Sequence, residues 1–181
     1  MVRRLLLLLS FIIPFSIHSS LPEMVIGKES VEPGIDLVFE GAIKDQIYPS
    51  SVFGSEEESD IHLEVLANWN NASPQGSPVG GFVAYLQITA EIINQRTESK
   101  KTIVLLPHVN MIDNLHYALN TSLPGRVNDL FTVTFNIKPP ETSSLGIHYD
   151  WSQEVGLSLA GQYQFTYQDL DFEKISQSKR R

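Results

Sequence analysis

The sequence predicts an all-β chain, a single immunoglobulin-like antiparallel β-sandwich, and three observations predict it. Apolar and polar residues alternate over short runs rich in β-branched and aromatic side chains. Clusters of Gly, Pro, Asn and Ser separate those runs, and no window sustains a helical period of useful length. A chain of 181 residues suits one such domain behind a leader.

Taken in order, residues 1–19 read as a secretory signal peptide. Arg3 and Arg4 form its positive start, Leu5 to Phe15 its apolar centre and Ser16 to Ser20 its small-residue exit. The apolar run is too short for a stable membrane span. Residues 20–33 read as a linker, and the domain proper as 34–170. Ile35 to Ile43 follows the turn pair Pro33-Gly34 as a strand. Ile61 to Trp69 alternates, with Ile61, Leu63, Val65 and Ala67 on one face and His62, Glu64, Leu66 and Asn68 on the other. Asn70 to Gly81 is a polar turn region. Gly81 to Ile93 and Thr102 to Leu106 are further strand candidates. Leu130 to Ile137 alternates up to the Pro139-Pro140 break, and Gln162 to Gln168 keeps its aromatics on one face. Residues 171–181 form a polar, basic tail. Asn71 and Asn120 fit the N-glycosylation pattern.

Composition narrows the chemistry. The formal net charge is −8, or −10 once Arg3 and Arg4 leave with the leader, which argues against a nucleic-acid partner needing a basic stripe. There is no cysteine, so disulfides, thiolate metal sites, iron–sulfur clusters and cysteine nucleophiles are all excluded. Any metal must be held by nitrogen, oxygen or thioether ligands. The segment Leu105 to Tyr117 collects such donors: His108, Met111, Asp113 and His116. His62 and Glu64, two apart on one strand, project from the same face roughly 6–7 Å apart. His148 follows the double proline. Each has an ordinary alternative: a strand-surface pair for His62 and Glu64, a loop histidine held by backbone for His116 and His148, and core filling for Met111.

The segments Gly34-Ile-Asp-Leu-Val-Phe-Glu-Gly-Ala-Ile-Lys-Asp45, Asp60-Ile-His-Leu-Glu64, Gly81-Phe-Val-Ala-Tyr-Leu-Gln-Ile88, Pro107-His108, Asp113-Asn-Leu-His-Tyr117, Ile137-Lys-Pro-Pro140 and His148-Tyr-Asp150 occur in that order. Together they resemble the exported iron-transport-associated family of the bacterial periplasm, which binds copper and iron and works beside an inner-membrane iron permease. The resemblance spans about Gly34 to Tyr167. It implies a homodimer with the metal site near the subunit contact. It also implies that His62, His116 and His148 bind copper, with Glu64 and Asp113 at the family's carboxylate positions; carboxylates favour harder iron or manganese ions, so these two suit a second ion, expected to be iron. The family's fourth copper ligand is a methionine after the loop proline; here His108 follows Pro107, and Met111 lies nearby. Either could complete the site. Asn114 stands where the family has glycine, and asparagine can imitate it in the left-handed conformation.

The expected function is therefore an exported, non-enzymatic metal-binding protein supporting iron uptake. The alternatives are a copper-dependent oxidase or reductase acting on iron before permeation, and a metal-free secreted recognition domain. No Ser/His/Asp triad in motif context, phosphate loop or glycosidase carboxylate pair is present.

Overall fold

A computed structural model describes residues 23–179. The expected leader, 1–19, lies outside them. Eight strands run in chain order: β1 (Met24–Val31), β2 (Ile35–Ala42), β3 (Ile61–Trp69), β4 (Gln87–Asn94), β5 (Lys100–Val109), β6 (Leu115–Thr121), β7 (Leu130–Lys138) and β8 (Tyr163–Asp171). Their spatial order is β1-β2-β3-β6-β5-β4-β7-β8, and every pairing is antiparallel. Three short helices complete the described residues: α1 (Ser50–Phe53), α2 (Tyr149–Glu154) and α3 (Glu173–Gln177). No helix among the described residues is long and apolar enough to cross a membrane.

Strand β5 makes one continuous ladder into two layers. Ile103 and Leu105 pair with β4, whereas Leu106 to Val109 pair with β6. The first layer is thus β1, β2, β3, β6 and the end of β5; the second is the start of β5, then β4, β7 and β8. At the outer edges the tyrosines of β8 reach across to the first strand, with the Tyr167 hydroxyl donating to Glu29 Oε1 at 3.2 Å and Tyr163 to the Glu32 carbonyl at 3.0 Å. The result is a flattened, nearly closed sandwich.

Period-two alternation sends Ile35, Leu37 and Phe39 of β2, and Ile61, Leu63 and Val65 of β3, against Val133, Phe135 and Ile137 of β7. Phe39 and Phe135 meet with ring centroids 4.5 Å apart. Tyr117 is buried among them. Its hydroxyl donates to the Val83 carbonyl at 2.8 Å and accepts from the Leu86 amide at 2.9 Å. That clamp holds the irregular segment before β4, where a strand from Gly81 is expected. The ladder starts only at Gln87, because Tyr85 sits at φ 66°, in the left-handed region outside regular β geometry.

Two further segments differ from expectation. Residues 24–31, read as linker, pair with β2 along their whole length as an edge strand. The start of the expected tail is core: Phe172 and Ile175 are buried, and Gly41 leaves room for the Phe172 ring, which a Cβ there would meet at 2.8 Å.

Candidate metal centre

The alternation that turns Leu63 and Val65 inward turns His62 and Glu64 to the outer face of the first layer. Antiparallel register then decides their neighbours, since directly paired residues share a face. Glu40 of β2 lies opposite Glu64, Asn120 of β6 opposite His62, and Ala118 opposite Glu64. One strand further, His116 of β6 lies opposite His108 of β5. Three histidines from three adjacent strands therefore occupy one patch, and the small Ala118 beside Glu64 leaves them room.

An outer face is normally wet, yet His62, Glu64, His108 and His116 are all buried. Segment 43–60 covers them. Its anchor is Asn120, whose Nδ2 donates to the carbonyls of Asp45 (2.6 Å) and Gly54 (3.2 Å). Gly54 takes φ 79° and passes so close to the Asn120 carbonyl that a Cβ would overlap it. Phe53 of α1 sets its ring edge against His108, with centroids 4.6 Å apart. What remains open is a cleft of ≈ 390 Å³ lined by Tyr48, Phe53, His62, His108, Asn110 and His116, among others.

Each imidazole has its Nδ1 tied to an oxygen. The two Nδ2 bonds orient the Asn120 amide so that Oδ1 faces His62 Nδ1 at 3.0 Å. An oxygen there makes Nδ1 the protonated nitrogen. His116 Nδ1 donates to the Asn114 carbonyl at 3.2 Å, and His108 Nδ1 to the Leu106 carbonyl at 2.8 Å. In a neutral ring such a contact puts the electron pair on Nε2. The Nε2 atoms of His62 and His116 lie 3.7 and 3.4 Å from Glu64 Oε2, and ligand atoms of all three residues fall within 4.8 Å of one another. The His108 ring stands 5.4 Å from His62 and 5.8 Å from His116. Its Nε2 is buried without a hydrogen-bond partner. Burial, reinforced by His116 nearby, lowers the His108 pKa, so the ring is neutral at neutral pH. An orphaned buried nitrogen beside a second pair of imidazoles and a carboxylate fits a transition ion.

The remaining candidates sit elsewhere. Met111 is fully exposed at the tip of the β5–β6 hairpin. Asp113 holds that tip, its Oδ2 accepting from Asn110 Nδ2 at 2.8 Å, and Asn114 takes φ 60°. Asp113 also raises the Glu40 pKa, behind the larger effects of burial and Glu23, so a carboxylate cluster borders the histidines. His148 is exposed at the start of α2, outside the cluster. Two residues escaped the sequence reading. Asn120, marked only by a glycosylation pattern, is buried with its amide fully engaged; Glu40 is recognisable only once its register with Glu64 is known.

A β-sandwich with a histidine–carboxylate cluster on the covered outer face of one layer is the class defined here. The chain belongs to the Fe2+ transport protein family, whose sequence profile matches residues 20–173. Similar solved structures include two copper-bound variants of P19 from Campylobacter jejuni. One is 25% identical at TM-score 0.69, covering 81% of this chain and 95% of that one; the other is 26% identical at 0.69, covering 82% and 96%. A copper-bound variant of FetP from uropathogenic Escherichia coli shares the fold at TM-score 0.66 and 22% identity, covering 81% and 95%. No curated protein matches the chain significantly.

Proposed function

We propose that this chain is an exported metal-binding protein of iron uptake that holds copper through His62, His108 and His116, with Glu64 beside them. The observation that carries the reading is the shared orientation: three buried imidazoles on one patch, each with Nδ1 held by an oxygen, and the Nε2 atoms of His62 and His116 turned toward Glu64. The copper-bound relatives at about a quarter identity support it. His108 rather than Met111 takes the fourth family position, because His108 is buried in the cluster and Met111 is in solvent.

Glu64 and the Glu40 opposite it, with Asp113 bordering this carboxylate cluster, offer oxygen donors for a second, harder ion, which in an iron-uptake protein is iron. His148 is exposed, which supports the site near a subunit contact that the family resemblance implies. We therefore assign His148 to a homodimer, each copy presenting it to the other's cluster. The expected leader and the family's part in iron transport support a periplasmic protein whose partner is an inner-membrane iron permease.

The test is cupric titration of the mature chain with metal analysis. One tight equivalent per chain is expected, and His116→Ala should lower affinity at least about tenfold. Absence of stoichiometric binding in the wild type overturns the reading. Sedimentation of the same samples checks the dimer, and His148→Ala should weaken copper binding only where dimers form.

A further inference from the structure

Resting on the copper reading above, we infer that His108 commits this site to divalent ions, so that copper is held as the cupric ion and cuprous copper is bound weakly. The donor set on this face is imidazole nitrogen and carboxylate oxygen. These favour divalent copper, whereas thioether and thiolate sulfur favour the monovalent ion. Among the described residues no sulfur reaches the patch. Met24 pairs with Gly41 and packs on the core, Met111 is fully exposed at the hairpin tip, and the chain has no cysteine.

His108 is the residue that makes the set uniform. Its Nε2 is a buried nitrogen with no partner, and it lines the same cleft as His62 and His116. The ring is also held in place. The Leu106 carbonyl fixes Nδ1 at 2.8 Å, Phe53 abuts one side, and His116 stacks at an interplanar angle of 23°. A ring so confined does not swing away when the ion changes oxidation state. Cuprous copper, content with two or three soft ligands, would meet fixed nitrogens and a carboxylate instead.

The test uses the mature chain and its His108→Met and His108→Gln variants. Cupric affinity is read by chelator competition, cuprous affinity by competition with a cuprous-selective chelator under anaerobic reductant, and nitrogen ligation by electron paramagnetic resonance of the cupric form. The wild type should show coupling to at least the three imidazoles of one chain. His108→Met should lose one coupling, bind cuprous copper at least about tenfold more tightly and cupric copper at least about tenfold less tightly. His108→Gln should lose cupric affinity without the cuprous gain. A wild-type spectrum with His108 uncoupled overturns the inference even if neither variant folds. So do equal cuprous affinities in wild type and His108→Met. A wild type that binds no cupric copper removes the copper reading itself, and the inference falls with it.

Discussion

Replacing Asn120 by alanine tests how the site is built. The Asn120 side chain makes four hydrogen bonds: its Oδ1 accepts from His62 Nδ1 (3.0 Å) and the Asp45 amide (3.4 Å), and its Nδ2 donates to the carbonyls of Asp45 (2.6 Å) and Gly54 (3.2 Å). At a net ~1 kcal/mol each, with the longest contributing least, their loss should cost about 3 kcal/mol. The cost falls on the cover over the histidines, so copper affinity should drop as well, by about 10- to 100-fold as for other groups that orient a ligand. Asn120→Asp separates the two effects. Its carboxylate still accepts from His62 but repels the two carbonyls, so stability should fall while His62 keeps its orientation. Urea unfolding followed by the fluorescence of Trp69 and Trp151 measures the first quantity, and cupric competition the second. An alanine variant within about 0.5 kcal/mol of wild type would refute the anchoring role.

Tyr117→Phe leaves a buried amide and a buried carbonyl without their hydroxyl, and should cost about 2–3 kcal/mol in the same unfolding assay. Glu40→Gln removes a half-buried carboxylate disfavoured by burial and by Glu23 and Asp113, and should stabilise the metal-free protein by about 0.5 kcal/mol; a loss of stability would show that its hydrogen bond with Glu64 outweighs that cost. Asp129 is held well below its ordinary pKa of 3.8, first by the Arg96 and Asn94 hydrogen bonds. A depressed folded-state value means stability complete above that ordinary value and lost as pH falls beneath it. Urea midpoints should therefore fall more steeply from about pH 5 to about pH 2.5 in wild type than in Asp129→Asn, and parallel curves would exclude the linkage. Met111→Leu should leave copper affinity unchanged, since the side chain is in solvent.

Strands β2, β3, β7 and β8 were legible because each alternates between a core-facing apolar set and a more polar set, whatever comes to lie over the second. Strand β6 was not. It is buried on both faces, one against the core through Tyr117 and the other under segment 43–60 through His116 and Asn120, so its polar residues read as a loop. Strand β1 is a half-exposed edge containing Gly27 and charged residues, and only its partner β2 defines it. The spacing of His62 and Glu64 put both on one face, but periodicity reports which way a side chain points, not what lies over it. Burial of that face depends on a long connection folding back, held by a hydrogen-bonded asparagine 75 residues away in sequence. His108 was legible from its place after Pro107, whereas its pairing with His116 depends on the hairpin register.

Strand β5 crosses from one layer to the other, and this gives a bound ion mechanical leverage. His108 sits at one end of a strand whose other end carries Ile103 and Leu105 into the core between the sheets. An ion gripping His108 together with His62 and His116 would staple that strand to two neighbours in the first layer, and through it load the second. Metal occupancy would then be felt as slower amide exchange in β4, on the far side of the sandwich. The loaded chain would be the tougher one throughout, and a protease would meet filled and empty copies as two different substrates.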